Sequence, residues 1–157
     1  MAPELADAPY KQVQLAQGML GYREVGSGPP IVFIHGLLVN GLLWRKVVPL
    51  LAPHFRCIVP DLPLGPHTLP MPTAADLRPP ALAQLIADFL EALKLEQVTL
   101  VGNDTGGALC QLTITAHPER IGRLVLTNCD AFEAFLPLLI RPFQWAGYLP
   151  GFVWLYG

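Results

Sequence analysis

The chemistry-bearing residues of this chain concentrate in one stretch, Gly102-Asn103-Asp104-Thr105-Gly106-Gly107. It follows the apolar run Val98-Thr99-Leu100-Val101 and precedes a helical stretch. Glycines two residues before and two residues after a central side chain mark a sharp strand-to-helix turn, which lifts that side chain clear of the sheet. The central residue is Asp104, a carboxylate of the kind that attacks carbon and forms an ester. The glycines answer a steric demand. The turn strains its central residue, and a Cβ at either flank would collide with the neighbouring strand or helix. The free N–H groups and dipole of the following helix favour negative charge at the tip. They help hold a developing oxyanion. Asp104 also has a plainer reading, as the N-cap of that helix. The preceding strand, the glycine spacing and an upstream His35-Gly36 pair weigh towards the nucleophile.

Elements able to position this turn run along the chain. Residues 12–16 and 20–25 read as two short strands joined at Gln17-Gly18, and residues 26–30 as a Gly/Pro turn. Residues 31–34 are continuously apolar, as expected of a strand buried on both faces, and His35-Gly36 ends them. A helix is expected over residues 42–51, closed by Pro53, then a strand over 56–59 stopped by Pro60-Asp61. Pro63, Pro66, Pro70, Pro72, Pro79 and Pro80 make residues 62–80 an irregular loop, because proline cannot donate to a ladder. Residues 80–95 form an amphipathic pattern. Leu82, Leu85, Ile86, Phe89, Leu90 and Leu93 fall on one face, and Gln84, Asp88, Glu91 and Lys94 on the other. A strand over 98–101, a helix over about 106–116 ended by His117-Pro118, and a strand over 123–127 complete the series. Short apolar runs alternating with helical stretches argue for an α/β sheet.

The composition narrows the function classes. Hydrophobic residues make up 52% and charged residues 14%, which supports a sizeable core and excludes a disordered tail. The net charge of -2, with scattered Lys and Arg, offers no field for nucleic acid. Cys57, Cys110 and Cys129 are odd in number and widely spaced, which suits small buried hydrophobes in a reducing compartment better than a metal site. No cofactor or metal is expected. Residues 1–10 lack the apolar run of a secretory signal. Residues 135–156 are apolar, but Arg141, Pro137, Pro142 and Pro150 interrupt them, against the roughly 20 uninterrupted residues of a membrane span. A cytoplasmic protein without membrane or nucleic-acid partners is the expectation; oligomeric state is not indicated.

Taken together, the strand ending in His35-Gly36, the run Phe55-Arg56-Cys57-Ile58-Val59-Pro60-Asp61-Leu62, the Asp104 turn and His117-Pro118-Glu119-Arg120-Ile121 resemble the N-terminal part of an α/β hydrolase, over about residues 20–131. The resemblance implies a mostly parallel sheet with flanking helices, stopping before the last strands and most of the cap. It places oxyanion-hole donors at the backbone N–H groups of Leu37 and Thr105. It also makes His35 a structural residue that holds its loop by hydrogen bonds. His54, His67 and His117 fall in loops or at helix ends and read as solvated.

An aspartate at the turn resembles the haloalkane dehalogenase and epoxide hydrolase branch of that family. The implied reaction is attack on a saturated carbon, followed by hydrolysis of the alkyl ester by a histidine-activated water. Neither subfamily signature is complete. Thr105 stands where dehalogenases carry a halide-binding tryptophan, and Leu37 where they often carry asparagine. Leu38 stands where epoxide hydrolases show proline. Asn40 and Trp44 are candidate pocket residues, Trp44 reading better as helix packing. In the resembled family the acid partner of the histidine follows either the strand over 123–127 or the next one; Asn128 aligns with the first position, its neutral side chain fits the second arrangement, and Asp130 is a nearby candidate.

The resemblance divides the chain into core, residues 1–131, and the start of a lid, residues 132–157. The apolar lid implies a small apolar substrate. The base histidine is expected beyond residue 157, so the chain alone is not expected to turn over. A non-catalytic binding member of the fold remains the competing reading, motivated by the incomplete signatures. A serine esterase is disfavoured, because Ser27, in a Gly/Pro turn, is the only serine.

Overall fold

The protein is described here from a computed structural model, over residues 4–129. Six strands form one sheet: β1 (Lys11–Leu15), β2 (Gly18–Val25), β3 (Pro30–Ile34), β4 (Arg56–Asp61), β5 (Val98–Asn103) and β6 (Ile121–Thr127). Their spatial order is β1-β2-β4-β3-β5-β6. The β1–β2 hairpin is antiparallel and joins β4 in antiparallel register, while β4, β3, β5 and β6 run parallel. The sheet is therefore mostly parallel, as the sequence pattern and the resemblance implied. The order reverses at β3, whose neighbours β4 and β5 both follow it in the chain. In open α/β sheets such a reversal opens a crevice at the carboxyl ends of the strands, where ligands bind.

Both faces of β3 are buried, which explains its unbroken apolar run. Val32 and Ile34 enter one core with Tyr22, Ile58 and Leu100, closed by α2 (Pro79–Ala92) and α3 (Thr105–Ala116). From α2 this core receives Leu82, Leu85, Ile86, Phe89 and Leu90, the face expected from their spacing. Each fully buried Leu or Phe adds about 1.5–3 kcal/mol over its exposed state. Ile31 and Phe33 enter a second core with Val25, Val59, Trp44 and Val48. The Phe33 and Trp44 rings lie 5.1 Å apart.

Several element ends shift: β5 runs on to Asn103, β6 begins at Ile121 and α2 ends at Ala92. Three further differences have a local cause. Residues 42–51 are not one helix but a 3-10 helix, Gly41–Trp44, and a short α1, Val48–Leu51. Pro49 sits in the first turn of α1, where its missing N–H costs nothing, and so it starts a helix where a continuous one would have needed a donor. Asn40 caps the 3-10 helix by accepting from Leu42 N–H, and Trp44 packs in the core. β4 runs through Pro60-Asp61 instead of stopping there. Its pairing with β3 ends at Ile58, so residue 60 has no neighbour on that side to supply with an N–H. β2 begins at Gly18, two residues early, because β1 pairs with it right to the turn.

Candidate active site

β5 leads into α3 through Asp104, whose φ of 53° and ψ of -134° lie where a side chain is strained. Asp104 stands at the N-cap position of α3, but its carboxylate makes no capping bond there. Instead, Oδ2 accepts from Leu37 N–H at 3.1 Å. Asp104 and the His35-Gly36-Leu37 loop are thus brought together, as their places at the ends of adjacent parallel strands require.

The glycines explain the close approach. A Cβ on Gly36 would come within 2.6 Å of Asp104 Cβ. One on Gly102 would come within 2.6 Å of Gly107 Cα, and one on Gly106 within 2.6 Å of Ile34 O. The strand–turn–helix and the loop after β3 therefore interlock at backbone contact. The base of the turn is tied to β6: Asp104 N–H donates to Asn128 O, and Asn103 Nδ2 donates to Thr127 O at 2.9 Å. Thr105 is the first residue of α3, a position whose N–H has no acceptor inside the helix.

His35 is fully buried and both ring nitrogens are engaged. Nε2 accepts from Leu62 N–H at 2.8 Å, and Nδ1 lies 2.9 Å from Gly36 O. A backbone N–H only donates, so Nε2 is unprotonated and Nδ1 carries the proton. Burial lowers the pKa of His35 below its ordinary value; the Gly36 carbonyl and Asp61 oppose this in part. His35 is a neutral strut of the loop.

Asp130 and the lid expected over residues 132–157 lie outside the described residues. Asn128, at the end of β6, has φ 41°. Among the described residues no group of three or more metal-ligating side chains is placed to hold a metal ion. Nor is any described helix long and apolar enough to cross a membrane. A surface cavity lined by Ala16, Gln17, Pro72 and Asp76 among others shares no residue with the Asp104 site.

Sequence reasoning missed the segment from Asp61 to Gly65. Asp61 is buried, and its Oδ1 accepts from Gly41 N–H at 2.7 Å. Leu64 O accepts from Leu38 N–H at 2.9 Å. One available signal was an aspartate at the end of an apolar strand, a place where a buried carboxylate needs backbone donors.

The sequence model of the alpha/beta hydrolase fold family matches residues 29–153. A haloalkane dehalogenase of Mesorhizobium japonicum is 34% identical over 142 residues, 89% of this chain and 42% of the relative. A pimeloyl-[acyl-carrier protein] methyl ester esterase of Aeromonas hydrophila is 32% identical over 125 residues, 80% of this chain and 45% of the relative. Among solved structures, a putative epoxide hydrolase from Pseudomonas aeruginosa superposes with a TM-score of 0.72 at 24% identity, over 80% of this chain and 43% of that one. The chain spans less than half the length of these relatives. The family match, the parallel sheet and the turn between β5 and α3 agree: the chain belongs to the alpha/beta hydrolase fold family.

Proposed function

We propose that this chain carries the nucleophile and oxyanion hole of a hydrolase that attacks a saturated carbon, in an alkyl halide or an epoxide, through an ester on Asp104. The observation that carries this reading is the bond from Leu37 N–H to Asp104 Oδ2. It ties up one carboxylate oxygen and leaves Oδ1 for attack in line with the departing bond. Halide leaves with its electron pair, or the epoxide oxygen does so as an alkoxide. The ester's carbonyl oxygen is then Oδ2, already at Leu37 N–H, with Thr105 N–H the second donor. Water adding to Cγ drives negative charge onto that oxygen, where fixed donors stabilise it most. His35 is not the base that activates this water, because its Nε2 is occupied.

The apolar rim of Leu37, Leu38 and Val39, all exposed, suits a small apolar substrate. Three unpaired thiols suit a reducing cytoplasm. Residues 132–157 form the start of the lid in this reading, and Asp130 is the candidate acid. The relatives include an esterase, so the family alone does not select this chemistry; the aspartate does.

The test is intact-mass spectrometry after acid quench, using a primary bromoalkane and a terminal epoxide in turn. The expected adduct is an alkyl group from the first or the whole epoxide from the second, with one fewer adduct in Asp104→Asn, where only the thiols remain to react. Equal adduct counts in the two proteins would favour a non-catalytic binding protein.

A further inference from the structure

Three hydrogen bonds join the loop after β3 to the end of β4 and the residues that follow it. Leu62 N–H donates to His35 Nε2 at 2.8 Å, Leu38 N–H donates to Leu64 O at 2.9 Å, and Gly41 N–H donates to Asp61 Oδ1 at 2.7 Å. Leu37, whose N–H reaches Asp104, lies between the first two of these anchors. Leu38 is held at φ 60°, a conformation costly for a leucine, with 77% of its surface exposed. Burial of its side chain therefore does not hold it there; the backbone bond to Leu64 does. Gly65 makes that bond possible. A Cβ there would stand 2.8 Å from Leu38 Cα and 3.2 Å from its N and C atoms. Gly65 is exposed and has no positive φ, so its glycine answers the approach of Leu38 and not a turn.

We propose that the segment from Asp61 to Gly65 is a positioning element. It sets Leu37 N–H on Asp104 Oδ2 and thereby presents Oδ1 for attack. This deepens the reading of Asp104 as the reacting carboxylate and rests on it. Asp61, Leu64 and Gly65 act through Leu37 and are positioning residues. Asp61 carries a second tie: Arg23 Nη1 of β2 lies 3.6 Å from its Oδ2, which braces the carboxylate against the sheet. Leu37 N–H is thus fixed by strands on both sides of it, as an oxyanion donor must be to act without reorganisation.

The test is amide hydrogen exchange by NMR on the full chain, with Leu37 read against Val32 and Phe33 of β3. The rate of Asp104 alkylation by a primary bromoalkane or terminal epoxide is measured in parallel. Gly65→Ala and Asp61→Ala are expected to speed Leu37 exchange by about tenfold relative to the β3 amides. They are also expected to slow alkylation. Asp61→Asn keeps an oxygen for Gly41 N–H and is expected to restore most of both. Gly65→Ala sits at an exposed position, so it leaves the core intact. Fast Leu37 exchange in the unmodified protein, or a change only in step with Val32 and Phe33, would overturn the proposal. The expected exchange pattern without alkylation of any form would uphold the positioning and sink the reading of Asp104 as nucleophile.

Discussion

Replacing Asp104 by alanine and by glycine separates the strain of the turn from the chemistry of the carboxylate. Both replacements remove the bond from Leu37 N–H to Oδ2, so that loss cancels in the comparison. What remains is the Cβ, held at φ 53° and ψ -134°. Keeping a Cβ in such a conformation costs about 1–3 kcal/mol. Glycine removes that cost but adds about 0.4–1 kcal/mol of unfolded-state entropy. The net expectation is that Asp104→Gly is more stable than Asp104→Ala by about 1 kcal/mol. This reverses the order found within helices and strands, where alanine exceeds glycine by about 0.5–1 kcal/mol. Urea unfolding at constant m-value measures the difference, and thermal unfolding should show it as about 2–4 °C in a chain of this size. Equal stabilities, or alanine the more stable, would refute the claim that the turn stores strain at residue 104.

Gly36→Ala should lower stability by about 1–3 kcal/mol, because its Cβ would press on Asp104 Cβ at 2.6 Å and the loop must give way. Denaturant curves check this, and loss of Asp104 alkylation should accompany it. His35 sets a pH dependence. Its folded pKa lies below the ordinary 6.5, so between those values the unfolded chain binds more protons and stability rises with pH. His35 therefore costs no stability above pH 6.5, and stability is lost as the pH falls from there towards the folded value. His35→Gln should flatten that slope in urea midpoints measured across the window. Burial pushes the Cys57 thiol up to about 11 and raises that of Cys110 further. A chromogenic disulfide at pH 8 should therefore titrate the half-buried Cys129 first, and the other two only on unfolding.

The parts of the fold legible in the sequence are those governed by local rules. The unbroken apolar run of β3 and the three- and four-residue spacing in α2 each follow from burial of one or two faces, and both elements form there, α2 ending at Ala92, three residues short of the expected 95. The glycines around Asp104 were legible because no other residue tolerates those contacts. What escaped depends on partners far along the chain. Pro60 stays inside β4 because β3 has already turned away to β5, which residues 56–61 alone do not reveal. Residues 62–65 looked like the start of a proline-rich loop, yet their backbone carries two of the anchors of the Leu37 loop. Backbone bonds leave no mark on side-chain type, so only Gly65 hints at them. Trp44 read better as packing than as a pocket residue, and its ring lies against Phe33 in the core.

The most direct test of the central claim is the chemical identity of the adduct formed by a primary bromoalkane. The reagent also attacks thiols, so mass alone does not distinguish Asp104 from Cys129. Hydroxylamine does: it cleaves a carboxylate ester to a hydroxamate and leaves a thioether intact. Peptide mapping after hydroxylamine should place the hydroxamate on Asp104, with none in Asp104→Asn. Adducts that all survive hydroxylamine, with no hydroxamate on Asp104, or a hydroxamate on any other carboxylate, would contradict it.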